Sequence, residues 1–187
     1  MRYMIAHMIK GDARKYHEDL SRALAHHYHL RPVTASIDPH LTIKAPFEAL
    51  STDLFDVERL IARFVDTYSP VEYTLSGFGN FDDRVVYMNV AAPSEIVTAV
   101  EDFKEKLKEL PWIEFKIHEN DTKFHASLAY PKDAEQTTEI VEKLSKGNAP
   151  SYTCSFDTIT LLKRNDRRWE VVKDYHLLGS NIGDIVI

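Results

Sequence analysis

The chain has 187 residues, of which 44% are hydrophobic and 28% charged, the balance of a globular protein able to bury one sizeable core. Its net charge of −6 argues against a broad basic surface for duplex nucleic acid but is compatible with a small basic pocket for a phosphate. The single cysteine, Cys154, excludes an internal disulfide, and no apolar run is long enough to span a membrane, so the sequence predicts a cytoplasmic protein.

The N-terminal part of the chain alternates between strand-like and helix-like patterns. Asp12 is the predicted N-cap of the first helix and Ser51 or Thr52 that of the second, because short polar side chains accept hydrogen bonds from the first free amides of a helix. Pro46 is expected to end the second strand, since proline has no amide hydrogen to donate to a sheet. The predicted elements are strands at residues 2–9 and 40–45 and helices at residues 11–29 and 52–69.

The remainder of the chain continues this alternation. Residues 77–83 are rich in glycine, asparagine and aspartate and are predicted to form the loop between two strands. Asp133 is expected to start the last helix, which Gly147 and Asn148 close. The predicted elements are strands at residues 71–75, 85–90, 125–130, 152–163 and 169–178, and helices at residues 94–110 and 133–146.

Two strand-like segments carry the same pattern of histidine, apolar, hydroxyl, apolar. In a strand, alternate side chains share a face, so His40 and Thr42 are predicted to point one way, and His125 and Ser127 likewise in the second segment. Two such strands facing one cleft would supply two imidazoles and two hydroxyl donors, which suffices for acid–base chemistry on a phosphate. In a chain with nine histidines the spacing also arises by chance, so the pattern alone leaves open that the strands do not share a site.

The two segments occupy similar places in the two halves of the chain. Each lies between two helices, within residues 1–69 and residues 84–146, as expected of a degenerate duplication. We therefore predict an α+β fold of two pseudo-symmetric lobes, each an antiparallel sheet with helices on its outer face, and an active-site cleft between the lobes. Residues 1–187 are taken as one bilobal domain.

Nearly the whole chain resembles the 2H phosphoesterase superfamily, and within it the branch of 2′-5′ RNA ligases and cyclic phosphodiesterases. The paired histidine motifs carry this resemblance, together with a hairpin in the middle of the chain and a closing pair of strands. The matching segments are residues 39–43, 75–81, 85–90, 124–128, 159–163 and 169–172. The second motif departs from the more usual pattern in having Ser127 instead of threonine, but either hydroxyl can donate a hydrogen bond.

The resemblance implies a metal-independent enzyme without a cofactor that opens 2′,3′-cyclic phosphates, or cleaves or forms 2′-5′ phosphodiester linkages, in small nucleotides or RNA. His40 and His125 would be the catalytic base and acid, in an order that the sequence leaves open. Thr42 and Ser127 would hold the non-bridging phosphate oxygens. A bell-shaped pH–rate profile is expected from oppositely protonated imidazoles.

Contacts to the rest of the substrate are predicted less directly. Lys44 and Lys123 share the alternation of the two histidines and are candidate substrate-binding residues, although each could equally be a solvated lysine. Tyr130 has the opposite alternation and is not expected in the site. A base-stacking aromatic residue could come from Phe47, Phe78, Phe81 or Tyr87, each of which also suits the core.

Other readings of the sequence remain. The expected partner is a nucleotide or short RNA with a cyclic phosphate or a 2′-5′ linkage, because the strongly basic patches of tRNA-handling relatives are not evident. One alternative is hydrolysis of a cyclic phosphate from a non-RNA nucleotide metabolite, and another is a non-catalytic module that binds nucleotides or phosphoryl groups. The sequence indicates no obligate protein partner, and the histidines around residues 26–29 lack the further ligands of a zinc site.

Overall fold

The computed structural model describes residues 1–179, which form eight β-strands and four α-helices. In chain order these are β1 (Arg2–Met8), α1 (Gly11–His27), β2 (His40–Glu48), α2 (Leu54–Thr67), β3 (Val71–Phe81), β4 (Val85–Ala91), α3 (Ser94–Lys108), β5 (His125–Ala129), α4 (Ala134–Ser145), β6 (Ser151–Phe156), β7 (Thr158–Asn165) and β8 (Arg168–His176). The strands form two four-stranded antiparallel sheets, in the orders β2-β1-β7-β8 and β5-β4-β3-β6. The predicted α+β class with two antiparallel sheets is confirmed.

The two histidine strands, β2 and β5, are edge strands of different sheets. They lie against each other without pairing, so the two sheets meet along the histidine motifs. The alternating burial of β2 and β5 follows the sequence pattern, since Leu41, Ile43, Ala126 and Leu128 are buried while the histidines and hydroxyls are half-buried. The apolar face of each strand therefore anchors it in the core and turns its polar face to the space between the sheets.

The helices pack in pairs, one pair on each sheet. Helices α2 and α3 contact the first sheet, and α1 and α4 contact the second. Helix α2 shows why: Val57, Ile61, Phe64 and Val65 recur at helical spacing and are all buried. Helix α1 follows a strand of the first sheet but packs on β5 and β6 of the second, so it links the two halves.

The chain crosses between the sheets at Asp157. One long strand was expected over residues 152–163, but β6 pairs with β3 of the second sheet and β7 pairs with β1 of the first. The alternation of apolar and polar residues changes phase at the crossing, from Tyr152, Cys154 and Phe156 to Ile159 and Leu161, but no glycine or proline marks the change. Period-two patterning reports that a segment is extended, whereas the identity of its neighbouring strand depends on contacts far away in the sequence.

The loop expected at residues 77–83 is mostly strand. Strand β3 continues to Phe81, and the turn to β4 uses Asp82 and Asp83, whose φ angles of 42° and 55° lie in the left-handed region. Gly77, with a φ of 73°, lies where the β3–β4 register shifts. Its glycine signal therefore marks a β-bulge instead of a turn.

Proline and the helix caps also differ from expectation. Pro46 lies inside β2, next to a register shift at the sheet edge, where a missing amide hydrogen costs little. Asp12 lies in the first turn of α1, and Lys10 occupies its N-cap. Asp53 precedes α2 in place of Ser51 or Thr52. Asp133, which was expected to start the last helix, is the N-cap of α4 and accepts a hydrogen bond from the amide of Gln136.

None of the helices within residues 1–179 combines the length and hydropathy needed to cross a membrane. The single domain predicted over residues 1–187 extends into residues 180–187, which lie outside the described part of the chain.

Candidate active site

Where β2 meets β5, the surface encloses a cleft of about 350 Å³ between the sheets. His40, Thr42, His125 and Lys123 all line it, so the structure brings together one histidine from each sheet. Ser127 lies on the face of β5 that carries His125 but does not line the cleft itself. The hydroxyls of Thr42 and Ser127 can both donate a hydrogen bond to a phosphate oxygen.

Both imidazoles are held by the same local hydrogen bond. Nδ1 of His40 lies 2.9 Å from the carbonyl oxygen of Asp38, and Nδ1 of His125 lies 2.9 Å from that of Lys123, in each case two residues earlier in the chain. A carbonyl oxygen only accepts, so Nδ1 must carry the hydrogen in both rings. Each neutral imidazole is thereby held with Nε2 unprotonated and available to take a proton.

The surroundings of the histidines favour their neutral forms. Burial lowers the pKa of His40 from 6.5 to about 4, an effect that the Asp38 carbonyl partly offsets and the charge of His125 increases. Burial also lowers the pKa of His125, with the Lys123 carbonyl opposing and the Lys123 ammonium adding to the shift. Two imidazoles near enough to affect each other titrate as a coupled pair.

Aromatic side chains pack around His125. The ring of Phe81 lies 4.7 Å away edge-on, and the ring of Tyr87 lies 5.4 Å away, both measured between ring centres. The Lys123 ammonium lies 4.8 Å above Phe81. Phe81 and Tyr87, two of the aromatic residues considered for base stacking, therefore pack against the imidazole of His125, and neither lines the cleft.

Of the two candidate lysines, the structure exposes only one to a ligand. Lys123 is exposed and lines the cleft, and its role as a substrate-binding residue stays a prediction. Lys44 is 0% exposed, and its Nζ lies 2.9 Å from Oε1 of Glu119. A register shift in the β1–β2 pair, where Ile5 lies opposite Lys44 and Ala6 opposite Thr42, explains this placement, because an extra residue breaks the alternation on which the expectation depended.

Several residues that line the cleft were not assigned to it from the sequence. Trp169, Tyr130 and Lys104 line it, and Tyr130 is 55% exposed. Tyr130 comes one residue after β5 ends, so the alternation that excluded it no longer applies. Trp169 comes from β8, one of the closing pair of strands that were part of the family resemblance, and Lys104 comes from α3. No local pattern in the sequence assigned either residue to the site.

A charged cluster holds the segment before His40. The Asp38 carboxylate pairs with Arg14, 3.0 Å away, and with Arg168. The amide of Trp169 donates to the carbonyl oxygen of Ser36 at 2.8 Å. The start of β8 is therefore fixed against the segment that precedes His40, and Trp169 is held at the cleft. Among the side chains that the structure describes, no three from histidine, cysteine or acidic residues are grouped so as to hold a metal ion.

Comparisons with known proteins find a matching family model and solved structures of similar fold. The family model of the 2′-5′ RNA ligase superfamily matches residues 11–168. TT0787 of Thermus thermophilus is 18% identical, with a TM-score of 0.60 over 95% of this chain and 98% of that protein. Escherichia coli LigT in complex with 3′-AMP is 17% identical, with a TM-score of 0.61 over 94% of this chain and 97% of LigT. No curated protein matches the sequence significantly.

Proposed function

Because the chain belongs to the 2′-5′ RNA ligase superfamily of 2H phosphoesterases, we propose that it opens 2′,3′-cyclic phosphates, or cleaves or forms 2′-5′ linkages, at the ends of small nucleotides or short RNA. His40 and His125 act as the acid–base pair. The observation that carries the proposal is their matched hydrogen bonding: each Nδ1 is tied to a carbonyl oxygen, which leaves Nε2 of both rings for proton transfer in one cleft.

The proposed reaction needs one neutral imidazole and one imidazolium. The neutral ring takes a proton from a water molecule as the water oxygen attacks phosphorus. The imidazolium gives its proton to the ribose oxygen as the bond from that oxygen to phosphorus breaks, so the ring opens and a phosphomonoester is left. The hydroxyls of Thr42 and Ser127 donate to the non-bridging oxygens, where negative charge is concentrated.

Size and charge favour a small substrate. A cleft of about 350 Å³ suits a nucleotide or the end of a short chain. Lys123 and Lys104 supply positive charge along its wall, which Glu119 and Asp121 balance, so the wall has no strong attraction for a long polyanion. Trp169 offers an aromatic face for a base. The nucleotide bound to LigT in a solved structure of similar fold, 3′-AMP, supports the same size class.

Turnover of 2′,3′-cyclic nucleotides in EDTA tests the proposal, with the products separated by the position of the phosphate. We expect turnover to persist in EDTA, because acid–base transfer between two imidazoles uses no metal. Linear 3′-5′ dinucleotides serve as the control substrate. If no cyclic nucleotide is opened, 2′-5′-linked dinucleotides and a non-RNA cyclic phosphate are tested next, and failure with all three while nucleotides still bind would favour the binding module.

The pH dependence follows from the direction of both pKa shifts. Because burial lowers the pKa of His40 to about 4 and also lowers that of His125, the singly protonated pair is most abundant on the acid side of pH 6.5. We expect a bell-shaped profile of kcat/KM with its maximum below that pH. The kcat profile should lie at higher pH, since bound phosphate stabilises imidazolium. Full rate-against-pH curves measure both, and a kcat/KM maximum on the alkaline side would contradict the expectation.

A further inference from the structure

A single buried carboxylate connects the two histidine strands. It belongs to the segment that precedes β5, and it contacts residues of β2. Glu119 is 6% exposed and lies in the linker between α3 and β5. Its Oε1 accepts from Nζ of Lys44 at 2.9 Å and from the amide of Ala45 at 3.0 Å. Its Oε2 accepts from the amide of Lys116 at 2.9 Å and from Nζ of Lys44 at 3.2 Å. Both oxygens are therefore used within the protein.

The first anchor of Glu119 lies on β2, a few residues after His40. Lys44 and Ala45 both belong to this strand, and the ammonium of Lys44 also lies 4.4 Å from the centre of the Phe115 ring. Burial lowers the pKa of Lys44, whereas hydrogen bonds from Lys116 and Lys44 outweigh burial and lower the pKa of Glu119. Glu119 is thus held as a carboxylate.

The second anchor is the linker itself. Nζ of Lys104, on α3, donates to the backbone oxygen of Glu119 at 3.1 Å and to the Thr122 hydroxyl at 3.0 Å. The linker then reaches Lys123, whose carbonyl oxygen accepts the Nδ1 hydrogen bond of His125. The position of that carbonyl, and with it the orientation of the imidazole, follows from where the linker is fastened.

The hydrogen bonds of strand pairing do not fix β2 relative to β5, because the two strands belong to different sheets. We infer that Glu119 is a positioning residue that fixes the separation and orientation of His40 and His125 by fastening the linker before β5 to Lys44 and Ala45 of β2. The inference rests on the proposed function, in which both imidazoles must reach one phosphate. A displacement of about 1 Å at either ring is enough to lower a rate by about 10²-fold.

The test removes the connection without leaving a lone charge. In the double variant Lys44→Met with Glu119→Met, both charges and both acceptor oxygens disappear while side-chain volume is nearly kept, so the fold should be retained. We expect kcat for a 2′,3′-cyclic nucleotide to fall by about 10²-fold with KM changed less than about threefold. The matched control is Arg59→Met with Asp56→Asn, which removes an exposed ion pair on α2, neither of whose residues lines the cleft, and should keep the wild-type kcat.

Two further measurements decide the remaining cases. Hydrogen exchange should show lost protection of the Ala45 and Lys116 amides, and an unchanged kcat despite that loss would overturn the inference. If the double variant does not fold, Glu119→Asp keeps the negative charge but shortens the side chain by one methylene group, so the carboxylate no longer reaches both the Lys116 amide and β2, and an unchanged kcat there has the same meaning.

An NMR titration of the His125 ring separates this inference from the proposed function. Freed from its fixed place, the ring should titrate nearer its ordinary pKa in the double variant than in the wild type. If the wild type turns over no phosphodiester, the proposed function fails, and the titration alone then decides whether Glu119 positions His125: an unchanged pKa rejects the role.

Discussion

Alanine at either His40 or His125 is expected to lower kcat for cyclic phosphate opening by about 10³-fold, because in the proposed mechanism each imidazole transfers a proton. Each ring has Nε2 as its only nitrogen not engaged by a backbone carbonyl, and no other described side chain on the cleft carries an imidazole. The two losses should not add in the double variant, since the residues act as one unit. Steady-state kinetics on purified variants measure all three.

The exposed residue His26, at the end of α1, provides the matched control for these substitutions. His26→Ala should keep the wild-type kcat, and circular dichroism should show all variants folded. Binding of a nucleoside monophosphate should survive in the catalytic variants, because Lys123, Lys104 and Trp169 remain. A variant of His40 or His125 that retains more than about a tenth of the wild-type kcat would contradict the two-histidine mechanism.

The sequence predicted those parts of the site that depend on local alternation. An extended backbone is enough to place His40 and Thr42 on one face of their strand, and the same holds for His125 and Ser127. Lys44 lies two residues further along the same strand, but a register shift against β1 ends the alternation there. Whether a strand contains a bulge is decided by its partner, which the sequence of one strand does not show.

The residues that the sequence did not reveal reach the cleft through long-range contacts. Glu119 and Lys104 meet through a linker without regular periodicity, and Trp169 arrives from the last strand of the other sheet. The same reasoning explains the fold. Helices were found by their apolar faces, whereas the crossing at Asp157 between the sheets depends on which strand is available to pair.

Acid should unfold the protein because two histidines are buried in their neutral forms. His7 and His17 are each 1% exposed, and burial lowers the pKa of each from 6.5 to about 4. His7 is stacked on Phe156 and hydrogen-bonded to the carbonyl oxygen of Thr158. His17, on α1 behind β5, has neither ring nitrogen hydrogen-bonded within residues 1–179, although backbone carbonyls of β5 lie near enough to favour its charged form slightly.

The sign of the effect follows from which state binds protons. Between pH 6.5 and about 4, the unfolded chain protonates these rings and the folded protein does not. The stability that they contribute is therefore complete above pH 6.5 and is lost as the pH falls toward 4. Each histidine accounts for about 3 kcal/mol over that window, from about 1.4 kcal/mol per unit of pKa shift.

His17→Leu should make the protein markedly more resistant to acid. Leucine has a similar volume, so the free energy of unfolding at about pH 7.5 should be close to that of the wild type. Because leucine does not titrate, the loss of this free energy between about pH 6.5 and 4 should be about 3 kcal/mol smaller in the variant than in the wild type. Urea denaturation at a series of pH values measures this, with His26→Leu as the exposed control. Parallel curves for His17→Leu and wild type would mean that the folded protein protonates His17 as readily as the unfolded chain does, and that the ring behind β5 opens to water.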